Sequence, residues 1–417
     1  MILLTIDGMY KLIILGCMFF SFIIFYLTNQ NKYFGKNETT KKNINIDSTQ
    51  YHDKKNIFPQ KYDLDKLLIS QSSNINSQDE RGQTFLHIAI NNNNIEEVAL
   101  LIRNGADVNI KDSFGNTPLI SSLKKRQNLL SPYVPLNQFE QPWKLKAKQA
   151  GQQTEIAKLL IKHNANVNHQ EKDGRTALFY VDSEEIAKLL IENGADIDIR
   201  DKYERTPLFN AVSVILLDES ALRESNKLSI KNNNVAKLLI AYGAKINIRD
   251  EHEETPLFEA ATEDIAKLLI ENGARVNIKD GHERTPLSNF VLQGRLDIVK
   301  LLIKNGADVN TRSKYALISG VTPLHLAANG ANDANVDIAK LLIDNGAKIN
   351  VKDEKGKTPL IIAIVWRNRA VIDLLLRNKA DTKHLEGIDM ENYSRNHRFH
   401  QQEIYELLET VIMENQQ

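Results

Sequence analysis

Eight times the chain carries a Thr followed by an apolar pair, and eight times a later "NGA" or near variant closes the same stretch. The Thr marks are Thr84, Thr117, Thr176, Thr206, Thr255, Thr285, Thr322 and Thr358; the matching glycine positions are Gly105, Asn164, Gly194, Gly243, Gly273, Gly306, Gly346 and Lys379. From a glycine position to the next Thr the distance is 12 residues in six of the seven joints; the seventh, Gly306 to Thr322, is 16. From a Thr to its own glycine position it runs 21, 47, 18, 37, 18, 21, 24 and 21. A surface loop lengthens at small entropic cost, whereas a segment that keeps its length is holding two bodies at a fixed spacing. The sequence therefore describes a stack of similar units joined through the 12-residue part, and 417 residues make one elongated domain rather than two or three compact ones.

Each mark has a local cause. In Thr-Pro-Leu the Thr is a helix N-cap and the Pro suits the first helical position, where its missing donor is not needed, so a first helix begins there. In "EIAKLLIENGA" (185–195) the residues Ile186, Leu189, Leu190 and Ile191 follow helical spacing. That spacing predicts a second helix with Leu189 in its core, Lys188 and Glu192 outward, and Gly194 ending it in the left-handed conformation. Between Gly194 and Thr206, "DIDIRDKYER" alternates apolar residues with turn formers and is too short for another helix. It reads as a hairpin-like finger, and the unit as helix, loop, helix, finger.

These marks resemble ankyrin repeats, with Thr-Pro-Leu-His in full at Thr322–His325, Thr84-Phe85-Leu86-His87 as a variant, and "GADVN" at 105–109 and 306–310. The resemblance covers residues 61–415. It implies an all-α solenoid of about eight full units, whose first helices and fingers line a concave, partner-binding face. "YDLDKLLIS" with "NIN" (62–76) resembles an N-terminal cap, and "QQEIYELLETVI" (401–412) a degenerate ninth unit, as expected where terminal units face water. The family's His is replaced by Phe179, Phe209 and Phe258 in three successive units. That departure is read as core and removes the usual bonding between His and Thr.

Ahead of the repeats, Leu12 to Asn31 is uncharged and bounded by Lys11 and Lys32. Twenty residues of helix rise about 30 Å, the thickness of a bilayer's hydrocarbon layer. One N-terminal transmembrane helix is expected in residues 1–31, followed by a polar linker at 32–60. A cleaved signal peptide fits less well, because the apolar stretch is long and "YLTNQNKYF" offers no small-x-small cleavage site. Lys32, Lys36, Lys41 and Lys42 follow the segment and only Lys11 precedes it, which places the repeats in the cytoplasm of a single-pass membrane protein. The alternative is an exported effector whose solenoid binds a host protein after an N-terminal export signal. The abundance of Asn, Ile and Lys reads as AT-biased coding in a small-genome bacterium.

The sequence excludes more than it specifies. Lys+Arg 53 against Asp+Glu 53 leaves no net charge to draw the chain to nucleic acid, and the one cysteine, Cys17, rules out an internal disulfide. No GxGxxG, Walker A, HExxH or GxSxG pattern and no cysteine pair is present, so neither catalysis nor a cofactor is expected. His397 and His400 lack further ligands nearby, so no metal centre is expected. What remains is binding of an unidentified protein by a monomer. Tyr203, His252 and His282 occupy equivalent tip positions in three consecutive fingers, a candidate contact row. A second candidate is the insertion at 123–152, where Tyr133 and Trp143 stand among Lys124, Lys125, Arg126, Lys144, Lys146 and Lys148, as a loop for an acidic partner or an anionic membrane surface. The insertion at 213–232 is charge-balanced and is expected to add helix.

Overall fold

The computed structural model describes residues 74–130, 142–213, 234–315, 318–329 and 333–383. The expected anchor at Leu12–Asn31, the linker at 32–60, most of the N-terminal cap, the insertion at 214–232 and the ninth unit lie outside the described residues. Among the described residues no helix is long and apolar enough to cross a membrane.

Eight units follow one another. Their first helices are Phe85–Asn91, Pro118–Leu130, the 3-10 turn Ala177–Tyr180, Pro207–Val212, the 3-10 turn Pro256–Glu259, Pro286–Leu292, Pro323–Ala328 and Pro359–Val365. Their second helices are Ile95–Arg103, Pro142–Lys162, Glu184–Glu192, residues 234–241, Glu263–Glu271, Leu296–Lys304, Asp333–Asp344 and Arg369–Arg377. Every first helix starts directly after its marker Thr, and wherever Pro follows that Thr it takes the first helical position, as the local chemistry requires.

First helices pack one upon the next from unit 1 to unit 8, and second helices do so across units 1 to 3 and 5 to 8. Their shared interior is built from the Leu of each opening motif, such as Leu86, Leu208, Leu287 and Leu324, and from triplets of the second helix such as Ile186, Ala187 and Leu190, all buried. Here the structure corrects the sequence reading. Leu189 is only half-buried, and Leu190, one step round the helix, fills the core. An amphipathic stripe two residues wide does not say which of two adjacent leucines points inward.

Two repeated contacts explain the fixed joint. In five joints the Asn that ends the "GAxxN" pattern or its variant donates its side-chain amide to the carbonyl at the next unit's glycine position and accepts the backbone N–H two residues beyond; Asn350 shows the accepting bond, from Asp381 N–H at 2.9 Å. Asn109, Asn168, Asn247, Asn277 and Asn310 all do both, at 2.7–3.3 Å. In the joint after unit 3 the position is Asp198, which accepts Lys245 N–H at 3.0 Å but has no amide to donate. The second contact links the fingers: Lys202 N–H donates to Asp173 O, Glu251 to Tyr203 O, Gly281 to His252 O and Lys314 to His282 O, at 2.9–3.0 Å. An inserted residue on either side would put both contacts out of register.

The 16-residue joint shows where extra length is accommodated. Its finger grows into an antiparallel pair, β1 (Ser313–Tyr315) with β2 (Ile318–Val321), while Lys314 and Ser319 keep their bonds to the neighbouring fingers. Tip and base are therefore not equivalent, and the expectation that the whole joint rejects insertion holds for its base. This hairpin is also the one departure from an all-α fold among the described residues. The unit-2 insertion, expected as a loop, is largely helix. It lengthens the first helix to Leu130 and starts the second at Pro142, giving that helix 21 residues where its counterpart in unit 1 has 9.

Candidate functional site

The finger tips are folded by a buried carboxylate. Asp201 Oδ1 accepts the backbone N–H of Tyr203 and Arg205, Asp250 those of His252 and Glu254, and Asp280 those of His282 and Arg284, at 2.7–3.0 Å. These side chains are 0% exposed, so the turn is fixed from beneath and the residue two places on is carried at its crest. The carbonyls of Phe114, Asp173, Tyr203, His252 and His282 each accept a bond from the next finger, which brings these five residues into one row. Tyr203 and His252 are half-buried there and His282 is exposed. Lys202 lies 4.9 Å from the centre of the Tyr203 ring and also meets Asp173, so a cation already accompanies the Tyr at its crest.

Sequence reasoning missed Phe114, which is 63% exposed and heads the row in the finger of unit 1. The signal was present: "DSFGN" places Phe two residues after Asp, as "DKYER" places Tyr. The two insertion candidates fare differently. Tyr133 lies outside the described residues, and Trp143 lies in the second helix of unit 2. Lys124, read as part of a basic loop, turns into the stack instead. It donates to Asn116 Oδ1 at 2.7 Å, faces Glu171 at 3.6 Å and lies 4.8 Å from the Tyr180 ring centre. Lys125 likewise bonds the Asn91 carbonyl.

One residue beyond the tip the chain must enter the left-handed region, and glycine does this at Gly82, Gly115, Gly174 and Gly356. At Gly174 a Cβ would lie 2.9 Å from the Lys202 backbone nitrogen. Yet Glu204, Glu253 and Glu283 adopt φ of 61°, 61° and 59° at this place, in the three fingers that carry Tyr203, His252 and His282. A non-Gly residue held so costs on the order of 1 kcal/mol. Each Glu is more than half exposed and meets a cation, Arg200 at 2.7 Å, Arg249 at 2.6 Å and Lys314 at 3.4 Å.

Beneath the fingers, the opening motif divides the units into two kinds. In units 1 and 7 the His Nδ1 accepts the Thr backbone N–H and meets the Thr hydroxyl at 3.0 and 2.7 Å, while Nε2 meets the carbonyl of Asn116 or Lys357 at the end of the finger that leads to the next unit. Only the neutral ring with its proton on Nε2 satisfies all of these, and burial lowers the pKa of both His87 and His325. In units 3 to 5 the Phe rings of 179, 209 and 258 are buried, as expected for core, and the hydroxyls of Thr176, Thr206 and Thr255 are buried without a hydrogen-bond partner. In unit 6, Ser288 partners Thr285 at 3.2 Å. No group of His, Cys, Asp and Glu able to hold a metal ion is found among the described residues.

Ankyrin-repeat models match residues 145–217, 227–313 and 287–385 with a three-copy pattern and residues 68–120 with a many-copy pattern. The three-copy matches alone span more than half of the chain. The protein belongs to the ankyrin-repeat family. It is similar to an ankyrin repeat protein of Acanthamoeba polyphaga mimivirus, 42% identical over 67 residues, which are 16% of this chain and 9% of that protein. It is also similar to an ankyrin repeat protein of Fowlpox virus (strain NVSL), 43% identical over 58 residues, 14% of this chain and 31% of the relative. The shared stretch is thus a small part of this ankyrin protein and less than a third of either relative.

Proposed function

We propose that this ankyrin-repeat protein is a membrane-tethered scaffold that acts by holding another protein, without catalysis, through the row of finger crests from Phe114 to His282. One observation carries the reading: the three fingers with Tyr or His at the crest are the three that keep Glu in a left-handed conformation where other fingers use Gly. Local backbone cost of that kind is kept where a side chain is needed, and aromatic groups with a polar edge are favoured contact residues. The tether is Leu12 to Asn31, with the repeats on the cytoplasmic side as the flanking lysines direct, and the protein acts as a monomer. A bacterial source rests on composition alone, and the two relatives above are viral.

The test is site-specific photo-crosslinking in the cell of origin. A photoreactive residue at Phe114, Tyr203 or His282 should give one shared crosslinked product, and the same residue at Lys188 or Lys267 on the outer helices should not. Equal products from both sets would refute the crest row as the binding face. Fractionation of the same tagged chain tests the tether: carbonate-resistant, uncleaved protein supports it, whereas a soluble form shortened by about 30 residues supports an exported effector.

A further inference from the structure

In units 3 to 6 the residue before the opening Thr is charged: Arg175, Arg205, Glu254 and Arg284. Arg175 Nε meets Asp201 at 3.0 Å and Arg205 Nε meets Asp250 at 3.1 Å, so in both joints the cation of one unit neutralises the buried Asp that folds the next finger. The next residue in that ladder is an acid, Glu254. Asp280 therefore receives no cation from the unit before it. It takes the guanidinium of Arg284, from its own finger, at 2.6 Å, and this same group reaches back to Glu254 Oε1 at 2.8 Å.

Around Glu254 stand Asp250 from its own finger, Glu259 from the turn it precedes, Asp280 and Arg284 from the following finger, and Arg205 from the preceding one. Arg205 is already divided between Asp250 and Glu259, at 3.1 and 3.2 Å. Four carboxyl groups thus share two guanidinium groups. Asp250 and Asp280 each accept two backbone N–H groups, and Glu259 is 32% exposed to water. Glu254 is 13% exposed, holds half of one cation and accepts no backbone bond in the described network. It is the group on which a proton relieves most repulsion at least cost.

We propose that Glu254 is a proton-operated latch between the fingers of units 4 and 5: neutral, it lets Arg284 serve Asp280 and closes the joint; ionised, it loosens the joint and adds a negative charge near the crests of His252 and His282. Burial, followed by the charge of Glu259, raises its pKa to about 7, against the attraction of Arg284. The native value lies above the unfolded one, so the contribution to stability is complete below about pH 4.5 and is lost as pH rises to about 7.

The test is hydrogen exchange on the full chain in detergent micelles at pH 5.5 and 8.0, corrected for intrinsic rates and read in peptides covering 250–260 and 280–292. In the wild type the open population of these peptides should rise about thirtyfold between the two pH values, with no such rise around Thr84. Glu254→Gln should remove that response and hold these peptides, at both pH values, at the closed level the wild type shows at pH 5.5. Glu259→Gln should keep the response and move it to lower pH, because it removes the like charge. An unchanged response in Glu254→Gln would overturn the proposal, as would a variant equally loosened at both pH values, which would mark Glu254 as a structural contact only.

Discussion

Thr206→Val and Thr322→Val make the same chemical change at the same place in two units and should have opposite effects. Both Thr are buried and open a first helix. The Thr322 hydroxyl meets His325 Nδ1 at 2.7 Å, in a ring whose Nε2 closes on Lys357 O at 3.1 Å. Removing it deletes a neutral hydrogen bond worth about 0.5–1.5 kcal/mol and leaves a buried nitrogen with only its long bond to the Thr322 N–H, so a loss of about 1–2 kcal/mol is expected. The Thr206 hydroxyl has no partner, because Phe209 occupies the place of the ring. A buried unsatisfied hydroxyl costs about 1–3 kcal/mol, and a methyl of nearly the same volume removes that cost, so a gain of about 1 kcal/mol is expected. Because long repeat arrays do not unfold as one unit, the assay is native-state hydrogen exchange read in the peptide containing each site. The two substitutions should differ by about 2–3 kcal/mol in local opening free energy. Equal destabilisation would refute the claim that exchanging His for Phe orphans the Thr.

Asp198→Asn should restore the amide bond missing from the joint after unit 3 and slow exchange in units 3 and 4 by about 0.5–1.5 kcal/mol of opening free energy; an unchanged rate would mean that the Asn series does not fix the joint. Leu190→Ala should cost about 2–5 kcal/mol of local opening free energy, read by native-state hydrogen exchange in the peptide covering 184–192, and Leu189→Ala clearly less, since only the first is fully buried. Three residues inserted after Arg200 should disrupt the stack, measured as loss of helical circular dichroism, while the same insertion after Ala316 should leave the signal intact. Acid should weaken units 1 and 7 first. The pKa values of His87 and His325 are lowered in the fold, so their contribution is present above about pH 6.5 and is lost as pH falls through the native values, and peptides covering 84–92 and 322–329 should open before those of the Phe units.

The stack was legible in the sequence because its joint is geometric: a contact between neighbouring units cannot change length without breaking, and spacing survives when residue identity does not. Asn164 and Lys379, for instance, replace Gly yet hold the same left-handed turn at φ of 63°. Side-chain direction was less legible. Leu189 and Leu190 differ by one step on a helix whose apolar stripe contains both, and only packing chooses between them. The insertion in unit 2 was read as a loop from its prolines and its charge, but Lys124 is satisfied by Asn116 and Glu171 in the next joint, a partner set visible only after the stack is assembled. Tyr203, His252 and His282 were recognised as equivalent from their distance to Asp. Phe114 was overlooked because its finger has no acidic neighbour to draw attention to the shared frame.

The paired bonds made by Asn109, Asn168, Asn247, Asn277 and Asn310 carry no information about which two neighbours they join, because each side offers only main-chain atoms at the same offsets. A gene cut at one such asparagine codon and resealed at another would still encode a seam that fits. Such a joint leaves the number of units open: a whole unit added or removed between two of these asparagines meets the same main-chain partners on either side.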